Sequence, residues 1–192
     1  MNQMSGVTTS ALKDAAELFR NAKRIVALTG AGISTPSGIP DFRSEGTGLW
    51  SSDEPLEVAS LNTFRTHPEK CFNWFRPLAG KIFHAQPNPA HEAFVELEQA
   101  GRKITIVTQN IDGLHQKAGS KHVIEMHGTL STLSCTGCFK KFGAGDFLHP
   151  FIEHGTIPLC TNCNGILKPD VILFGEQLPQ AAWMEALNAA RQ

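Results

Sequence analysis

Four cysteines arranged in two pairs constrain this chain more than any other sequence feature. The pairs, Cys135 with Cys138 and Cys160 with Cys163, give the spacing C-x2-C-x21-C-x2-C. Two residues between cysteines let both sulfurs face one point from a tight turn, and two such turns supply the four thiolates that Zn²⁺ binds tetrahedrally. Because four thiolates fill the coordination sphere, we predict a structural zinc ion in a small domain over residues 129–168. A redox pair and a nucleic-acid-binding ribbon are weaker alternatives, since two pairs at this spacing suit a metal and nearby lysines are few.

Composition and charge narrow the class of protein. The chain has 192 residues, 41% of them hydrophobic, and a formal net charge of −1. This balance gives no basic field that would favour nucleic acid as a direct partner. The first ten residues are polar, and no run approaches the roughly 20 apolar residues of a membrane span. We therefore expect a cytoplasmic protein that binds no membrane, and we interpret the fifth cysteine, Cys71, as a buried small hydrophobe.

Apolar runs alternate with helical patterns along the chain. Four runs predict strands: RIVALTG (24–30), KITIVTQNIDG (103–113), KHVIEMHGT (121–129) and DVILFGE (170–176). Helical spacing predicts helices at 10–23 with Ser10 as cap, at 67–83 with an interruption at Pro77, at 88–101 with Asn88 as cap, and at 179–192. This alternation predicts an α/β fold with a Rossmann-like parallel sheet over residues 10–128 and 169–192, with a helical insert at about 54–86.

Small and polar residues follow the first predicted strand directly. Gly30 and Gly32 form a G-A-G turn, but the dinucleotide-binding fingerprint G-x-G-x-x-G is broken at Thr35. Glycines there allow a backbone to approach a pyrophosphate, and Ser34 adds a hydroxyl donor. A tight turn from strand to loop explains the same residues equally well. The loop by itself therefore leaves both interpretations open.

Further polar residues cluster at the ends of the predicted strands. Asp41 lies in the Gly- and Pro-rich loop, Asn110 and Asp112 follow the second strand, and His127 follows the third. Ligands of open α/β sheets bind beyond the carboxyl ends of the strands, so we expect these residues to converge on one cleft. His127, next to Gly128, is then a candidate general base.

Five motifs, in order, resemble the sirtuins, which are NAD-dependent protein lysine deacylases. They are GAGISTPSGIPDFRS, TQNIDGLHQKAG, EMHG, the two C-x2-C pairs and KPDVILFGE. The resemblance implies that NAD is bound by Gly30, Ala31, Gly32, Ser34, Asp41, Phe42, Arg43, Gln109, Asn110, Ile111 and Asp112. It implies a catalytic role for His127 as the base, together with Asn110 and Asp112. It also implies that Ile172, Phe174, Gly175 and Glu176 bind the acylated substrate, whose backbone adds as a strand.

The resemblance also implies a reaction. The acetyl oxygen of the substrate lysine attacks the nicotinamide ribose, nicotinamide leaves, and His127 then removes a proton from a ribose hydroxyl. The products are free lysine and O-acetyl-ADP-ribose. Sirtuins that prefer acidic acyl groups carry a Tyr and an Arg in the helical insert. This chain has no tyrosine and keeps only Arg76, so we expect acetyl or other neutral acyl groups.

The chain departs from the family at its end. Sirtuin catalytic domains continue past the FGE segment and its helix, whereas this sequence stops at Gln192. We therefore expect RIVALTG to have an unpaired apolar edge, open to self-association or to a partner. A binding protein without catalysis and a mono-ADP-ribosyltransferase remain alternatives. A dehydrogenase is disfavoured because the fingerprint is broken and no acidic residue follows at the required place.

Overall fold

A computed structural model of the chain describes residues 9–41 and 55–191. The helices are α1 (Thr9–Asn21), α2 (Pro55–Val58), α3 (Leu61–Thr66), α4 (Pro68–His84), α5 (Pro89–Gln99), α6 (Leu114–Ala118), α7 (Gly145–His154) and α8 (Gln180–Ala190). The strands are β1 (Arg24–Thr29), β2 (Lys103–Thr108), β3 (Val123–Glu125), β4 (Gly128–Cys135), β5 (Lys141–Gly143) and β6 (Leu167–Val171). Two short 3-10 turns, Ala31–Ile33 and Thr35–Ser37, follow β1.

The first three strands form the predicted parallel sheet in the order β1-β2-β3. The central strand β2 is the most buried, and its Ile106 is fully enclosed. Val107, Ile124 and Met126 pack against Ala182 and Ala186 of α8. The α/β fold is thus confirmed, and the sheet aligns the carboxyl ends of all three strands at one edge.

The outer edge of β1 is open among the described residues. β1 pairs only with β2, and the side chains of Val26 and Leu28 are 39% and 72% exposed. Helix α1 is exposed along its length, so it adds no cover to this edge. The expectation of an unpaired apolar edge is confirmed for the described residues. The helix begins at Thr9, so the prediction of Ser10 as its cap was wrong.

The second sheet is antiparallel, in the order β5-β4-β6. Cys135 ends β4, and the other three paired cysteines lie in the turns beside this sheet. The predicted fourth parallel strand over residues 170–176 was wrong. β6 ends at Val171 and pairs with β4, while residues 172–175 leave the sheet. The Ile172 N–H donates to His127 O, next to the Gly128–Val171 pair of β4 and β6. Phe174 instead forms a parallel bridge with Ser60, so the segment passes from the second sheet to the start of α3.

The helical insert packs on the cysteine-bearing region. Phe64, Cys71, Phe72 and Ala79 form one cluster with Phe151 of α7. Cys71 is buried there, as predicted. Helix α4 continues through Pro77, so the predicted interruption was wrong. Apolar packing on both sides of the proline outweighs the loss of one helical hydrogen bond.

Helix α5 begins as predicted, with Asn88 as its cap and Pro89 in its first turn. The Asn88 oxygen accepts from the Ala90 N–H, while its amide nitrogen donates to Ile33 O and to Ser37 Oγ, each at 2.8 Å. The helix start therefore holds the turns that follow β1. Within residues 9–41 and 55–191, no helix has the length and apolar character needed to cross a membrane.

Candidate active site and metal centre

A cleft of about 730 Å³ lies beyond the carboxyl ends of β1 and β2, a volume typical of ligand sites. On the sheet side it is lined by Gly30, Ala31, Ser34, Asp41, Gln109, Asn110, Ile111, Asp112 and His127. On the opposite side it is lined by Ile172, Phe174, Gly175 and Glu176. The structure therefore has a cleft beyond the carboxyl ends of the parallel strands, where the sequence predicted a ligand site. Of the predicted site residues, Gly32 does not line it, and Phe42 and Arg43 lie outside the described residues.

A buried hydroxyl links the two polar clusters at the floor of the cleft. Ser34, which is 1% exposed, donates to Asp112 Oδ2 at 2.7 Å. Its oxygen accepts from the Asn110 amide at 3.1 Å, and the same amide donates to Gly30 O at 3.1 Å. The other Asp112 oxygen accepts from the Leu114 N–H. These bonds fix the carboxylate and the loop relative to each other, so the polar floor is built before a ligand binds.

His127 lies at the side of the cleft where the two sheets meet. Its Nδ1 is 2.8 Å from the backbone oxygen of Gln109. A carbonyl oxygen only accepts, so Nδ1 carries a hydrogen and Nε2 is the ring nitrogen left for proton transfer. Of the described side chains around the cleft, this imidazole has the geometry of a general base whose tautomer is set by the backbone.

Two further histidines form a buried layer beneath the loop, and sequence reasoning missed them. The rings of His91 and His115 lie 4.8 Å apart, and His115 Nε2 is 3.0 Å from Thr29 Oγ1. Burial lowers the pKa of His115 to about 4 and also lowers the pKa of His91. Both rings are therefore neutral at pH 7. The sequence signal for His91 was its position three residues after the helix cap Asn88, where it completes a capping box.

One side of the cleft is apolar, which the sequence did not reveal. Its wall is formed by Ile39, Phe64, Cys71, Phe72, Trp74, Phe75, Leu78 and Ile82. Arg76, although on α4, does not line the cleft. Its guanidinium donates from Nε to Ile152 O at 2.8 Å and from a terminal nitrogen to Glu153 O at 2.7 Å. Arg76 thus binds the end of α7 instead of a carboxylate in the cleft.

The four paired cysteines converge as predicted, with all four sulfurs within 4.8 Å of one another. Cys135 Sγ lies 3.4 Å from Cys163 Sγ, and Cys138 Sγ lies 3.6 Å from Cys160 Sγ. A tetrahedral Zn²⁺ with Zn–S bonds of about 2.3 Å requires S–S separations of about 3.8 Å. The backbone N–H groups of Gly137 and Cys138 donate to Cys135 Sγ at 3.3 and 3.4 Å, which favours a thiolate there. The residues therefore fit a zinc ion held by four sulfurs.

The cleft also fits NAD. Gly30 follows β1 directly and lies beside Gln109, whose Nε2 would be 3.7 Å from a Cβ at Gly30. A Cβ at Gly32 would meet nothing within 4 Å, so the backbone there is open to close approach. Phosphate groups suit this glycine turn, and the polar floor suits sugar hydroxyls and a carboxamide.

Comparisons of sequence and structure with known proteins all identify the Sir2 family. The Sir2 family model matches residues 30–192. NAD-dependent protein deacylase 2 of Archaeoglobus fulgidus is 44% identical over 181 residues, which are 94% of this chain and 70% of that protein. A structure solved to explain the mechanism and regulation of Sir2 enzymes is 42% identical with a TM-score of 0.87, and the match covers 96% of this chain and 73% of that one. A Sir2 histidine-to-alanine variant with a deacetylated p53 peptide and 3′-O-acetyl-ADP-ribose is 38% identical with a TM-score of 0.85, covering 94% and 72%.

Proposed function

This chain belongs to the Sir2 family, and we infer from that premise that it is an NAD-dependent protein deacetylase. The reaction transfers the acetyl group of an acetyl-lysine side chain to ADP-ribose and releases nicotinamide. The observation that carries this proposal is the joint position of His127, Asn110 and Asp112 around one cleft beside an apolar wall. A base, a polar floor and an apolar channel are the three parts that the reaction needs.

We propose that His127 acts as the general base. When bound, NAD supplies the ADP-ribosyl group that accepts the acetyl group, with nicotinamide as the leaving group. His127 Nε2 accepts a proton from a sugar hydroxyl, and the bond from Nδ1 to Gln109 O holds the ring in the required tautomer. Positive charge that develops on the ring is stabilised by the same carbonyl.

We propose that the floor residues bind and orient the nicotinamide end. Asn110 is 8% exposed and fixed by Gly30 O and Ser34 Oγ, so its position does not depend on the ligand. Asp112 is held by Ser34 and by the Leu114 N–H, which leaves its carboxylate oriented before binding. Gly30, Ala31, Gly32, Asp41, Gln109 and Ile111 complete the proposed NAD site, together with Phe42 and Arg43.

The apolar wall supports neutral acyl groups as the substrates. The phenylalanine and leucine side chains of α3 and α4 exclude water from the acyl group and offer no donor for an acidic one. Arg76 is already bound to two carbonyl oxygens of α7, so it does not serve as an anchor for a carboxylate. Ile172 and Phe174 form the opposite wall and belong to the proposed peptide-binding segment.

We propose that the zinc ion has a structural role and that residues 129–168 form its domain. Cys135 and Cys160 are buried in one cluster with Leu133, Ala144 and Leu167, so the metal and the apolar core stabilise the same unit. Four sulfur ligands leave no position for water, so the zinc does not take part in the chemistry.

We further propose a cytoplasmic location and self-association through β1. None of the five cysteines is in a disulfide, and zinc-binding thiolates of this kind suit a reducing compartment. The open edge of β1, with Leu28 72% exposed, suits pairing with a second strand. Sedimentation of the wild-type chain at several concentrations tests the association, and a monomer at all of them contradicts it.

The function is tested by nicotinamide release from NAD, with an acetylated peptide, a succinylated peptide of the same sequence, or the unmodified peptide. We expect release that requires the acetylated peptide and is at least about tenfold slower with the succinylated one. Equal release with the unmodified peptide, accompanied by its ADP-ribosylation, would indicate a mono-ADP-ribosyltransferase. No release from folded, zinc-loaded protein would indicate a binding protein.

A further inference from the structure

The segment of residues 172–175 forms one wall of the cleft but belongs to no sheet. Its backbone is held on both sides of Leu173: the Ile172 N–H donates to His127 O, the Phe174 N–H donates to Ala59 O, and Phe174 O accepts from the Leu61 N–H, each at 2.9 Å. None of these bonds involves the Leu173 backbone, which lies between the two anchors. The residues that flank the segment supply the bonds to Leu173.

Lys168, at one end, directs its ammonium group inward. Its Nζ lies 2.7 Å from Val171 O, 3.2 Å from Pro169 O and 3.0 Å from Glu176 Oε2. An ammonium has three hydrogens to donate, and these three acceptors use all of them. The Lys168 side chain is only 16% exposed, so water competes little for these bonds.

Glu176, at the other end, binds the segment itself. Its Oε2 accepts from the Leu173 N–H at 2.8 Å, and its own N–H donates to Leu173 O at 3.0 Å. Gly175 makes the turn possible with a φ of +86°. The Glu176 side chain is 20% exposed. One carboxylate oxygen thus joins Leu173 to Lys168 and closes the segment into a loop.

We propose that the Lys168–Glu176 ion pair is a clasp that positions residues 172–175 for the acylated peptide. This inference rests on the proposed deacylase function and assigns Glu176, which lines the cleft, a positioning role: its carboxylate joins Leu173 to Lys168. A preordered segment binds a peptide more tightly because the ordering cost is met before binding. The clasp therefore sets the affinity for the peptide and leaves that for NAD unchanged.

The kinetic test compares Lys168→Met, which keeps the length and removes the charge, with Lys168→Arg, which keeps the charge. We expect the KM for an acetylated peptide to rise about tenfold in Lys168→Met, with the KM for NAD within about twofold of wild type. Lys168→Arg restores the peptide KM to near the wild-type value. The matched control is Lys141→Met, which removes an exposed lysine from the Lys141–Asp170 ion pair in the same sheet.

Hydrogen–deuterium exchange provides a readout that does not depend on turnover. We expect faster exchange confined to residues 171–176 in Lys168→Met and in Glu176→Gln, and none in Lys141→Met. Unchanged exchange and unchanged peptide KM overturn the clasp. Exchange that rises across the whole chain in both variants also overturns it, because the pair would then stabilise the fold in general. If wild-type protein releases no nicotinamide, the proposed function fails, and exchange still decides whether the clasp orders the segment.

Discussion

The imidazole Nδ1 of His127 lies 2.8 Å from the backbone oxygen of Gln109. This contact joins the end of the second strand to the residue before β4, and it fixes which ring nitrogen faces the cleft. Because the backbone oxygen cannot donate, Nδ1 carries a hydrogen and Nε2 is the nitrogen available for proton transfer. The tautomer of His127 is therefore set by a backbone carbonyl, which a mutation of the Gln109 side chain does not remove.

We predict that His127→Ala lowers kcat by about 10²- to 10⁴-fold, the usual contribution of a positioned general base. The zinc content remains at the wild-type value because four cysteines hold the metal, and the affinity for NAD changes by less than about tenfold because the buried Ser34–Asn110–Asp112 bonds do not involve His127. Product formation, metal analysis and calorimetric NAD titration check these three points. His149→Ala, which removes an exposed histidine of α7, is the matched control. Full activity in His127→Ala would remove the residue from the mechanism.

We predict that Ser34→Ala raises the KM for NAD by about tenfold. The change removes the donor to Asp112 Oδ2 and an acceptor of the Asn110 amide, which corresponds to about 1.4 kcal/mol for one buried network bond. Initial rates at varied NAD measure the effect. Ser131→Ala, where an exposed hydroxyl contacts only Thr129, is expected to leave the KM unchanged. Equal values for the two variants would contradict the role assigned to the buried floor.

The location of the site could be predicted from sequence because it depends on local patterns and one topological rule. The apolar runs that became β1 and β2 end in polar residues, and parallel strands bring such ends together. The conformation of residues 172–175 could not be predicted. Their apolar character suits a strand, but Phe174 pairs with residues 59–61, which lie more than 100 positions earlier in the chain.

The apolar wall and the buried histidines were missed for a related reason. Phe72, Phe75 and Leu78 lie at helical spacing, and that pattern does not tell a core-facing stripe from one that also lines a cleft. His115 gave no signal because its burial depends on packing against His91 and Thr29, which come from distant parts of the chain. Tertiary contacts of this kind have no local sequence signature.

We predict that Gly128→Ala destabilises the fold by at least about 2 kcal/mol and lowers activity. Gly128 has a φ of +74°, and a Cβ there would lie 2.0 Å from Asp170 O, so β4 and β6 would have to separate. The shift would also displace His127, its neighbour. Chemical unfolding measures the loss. Gly143→Ala in β5, where a Cβ meets nothing within 4 Å, should cost less than about 1 kcal/mol, and equal costs would refute the steric argument.

We predict that stability falls as pH decreases from about 6.5 towards 4 because of His115. Burial lowers its folded-state pKa from 6.5 to about 4, so in this interval the unfolded chain binds the proton and the folded chain does not. The unfolded state then gains up to about 1.4 kcal/mol per pH unit, or about 3 kcal/mol in all. His91, whose pKa is also lowered by burial, acts in the same direction.

Urea unfolding of wild type and His115→Gln at pH 7 and pH 5, with zinc in excess in all samples, checks this prediction. The comparison of the two proteins cancels the protonation of the cysteines, which both share. We expect a smaller loss of stability between the two pH values in the variant, whatever its stability at pH 7. The same loss in both proteins would show that His115 is not the group responsible.

We predict one zinc ion per chain, and loss of structure when it is removed. Cys135 and Cys160 belong to the same buried cluster as Leu133 and Leu167. Removal of the metal would therefore break the metal–sulfur bonds and leave four thiols in close contact beside this core. A strong chelator should therefore unfold the second sheet and abolish activity together. Cys160→Ser should lower the zinc content, whereas Cys71→Ala should keep one zinc per chain, because Cys71 lies in a separate cluster. Metal-free protein that stays folded and active would show that the zinc is dispensable.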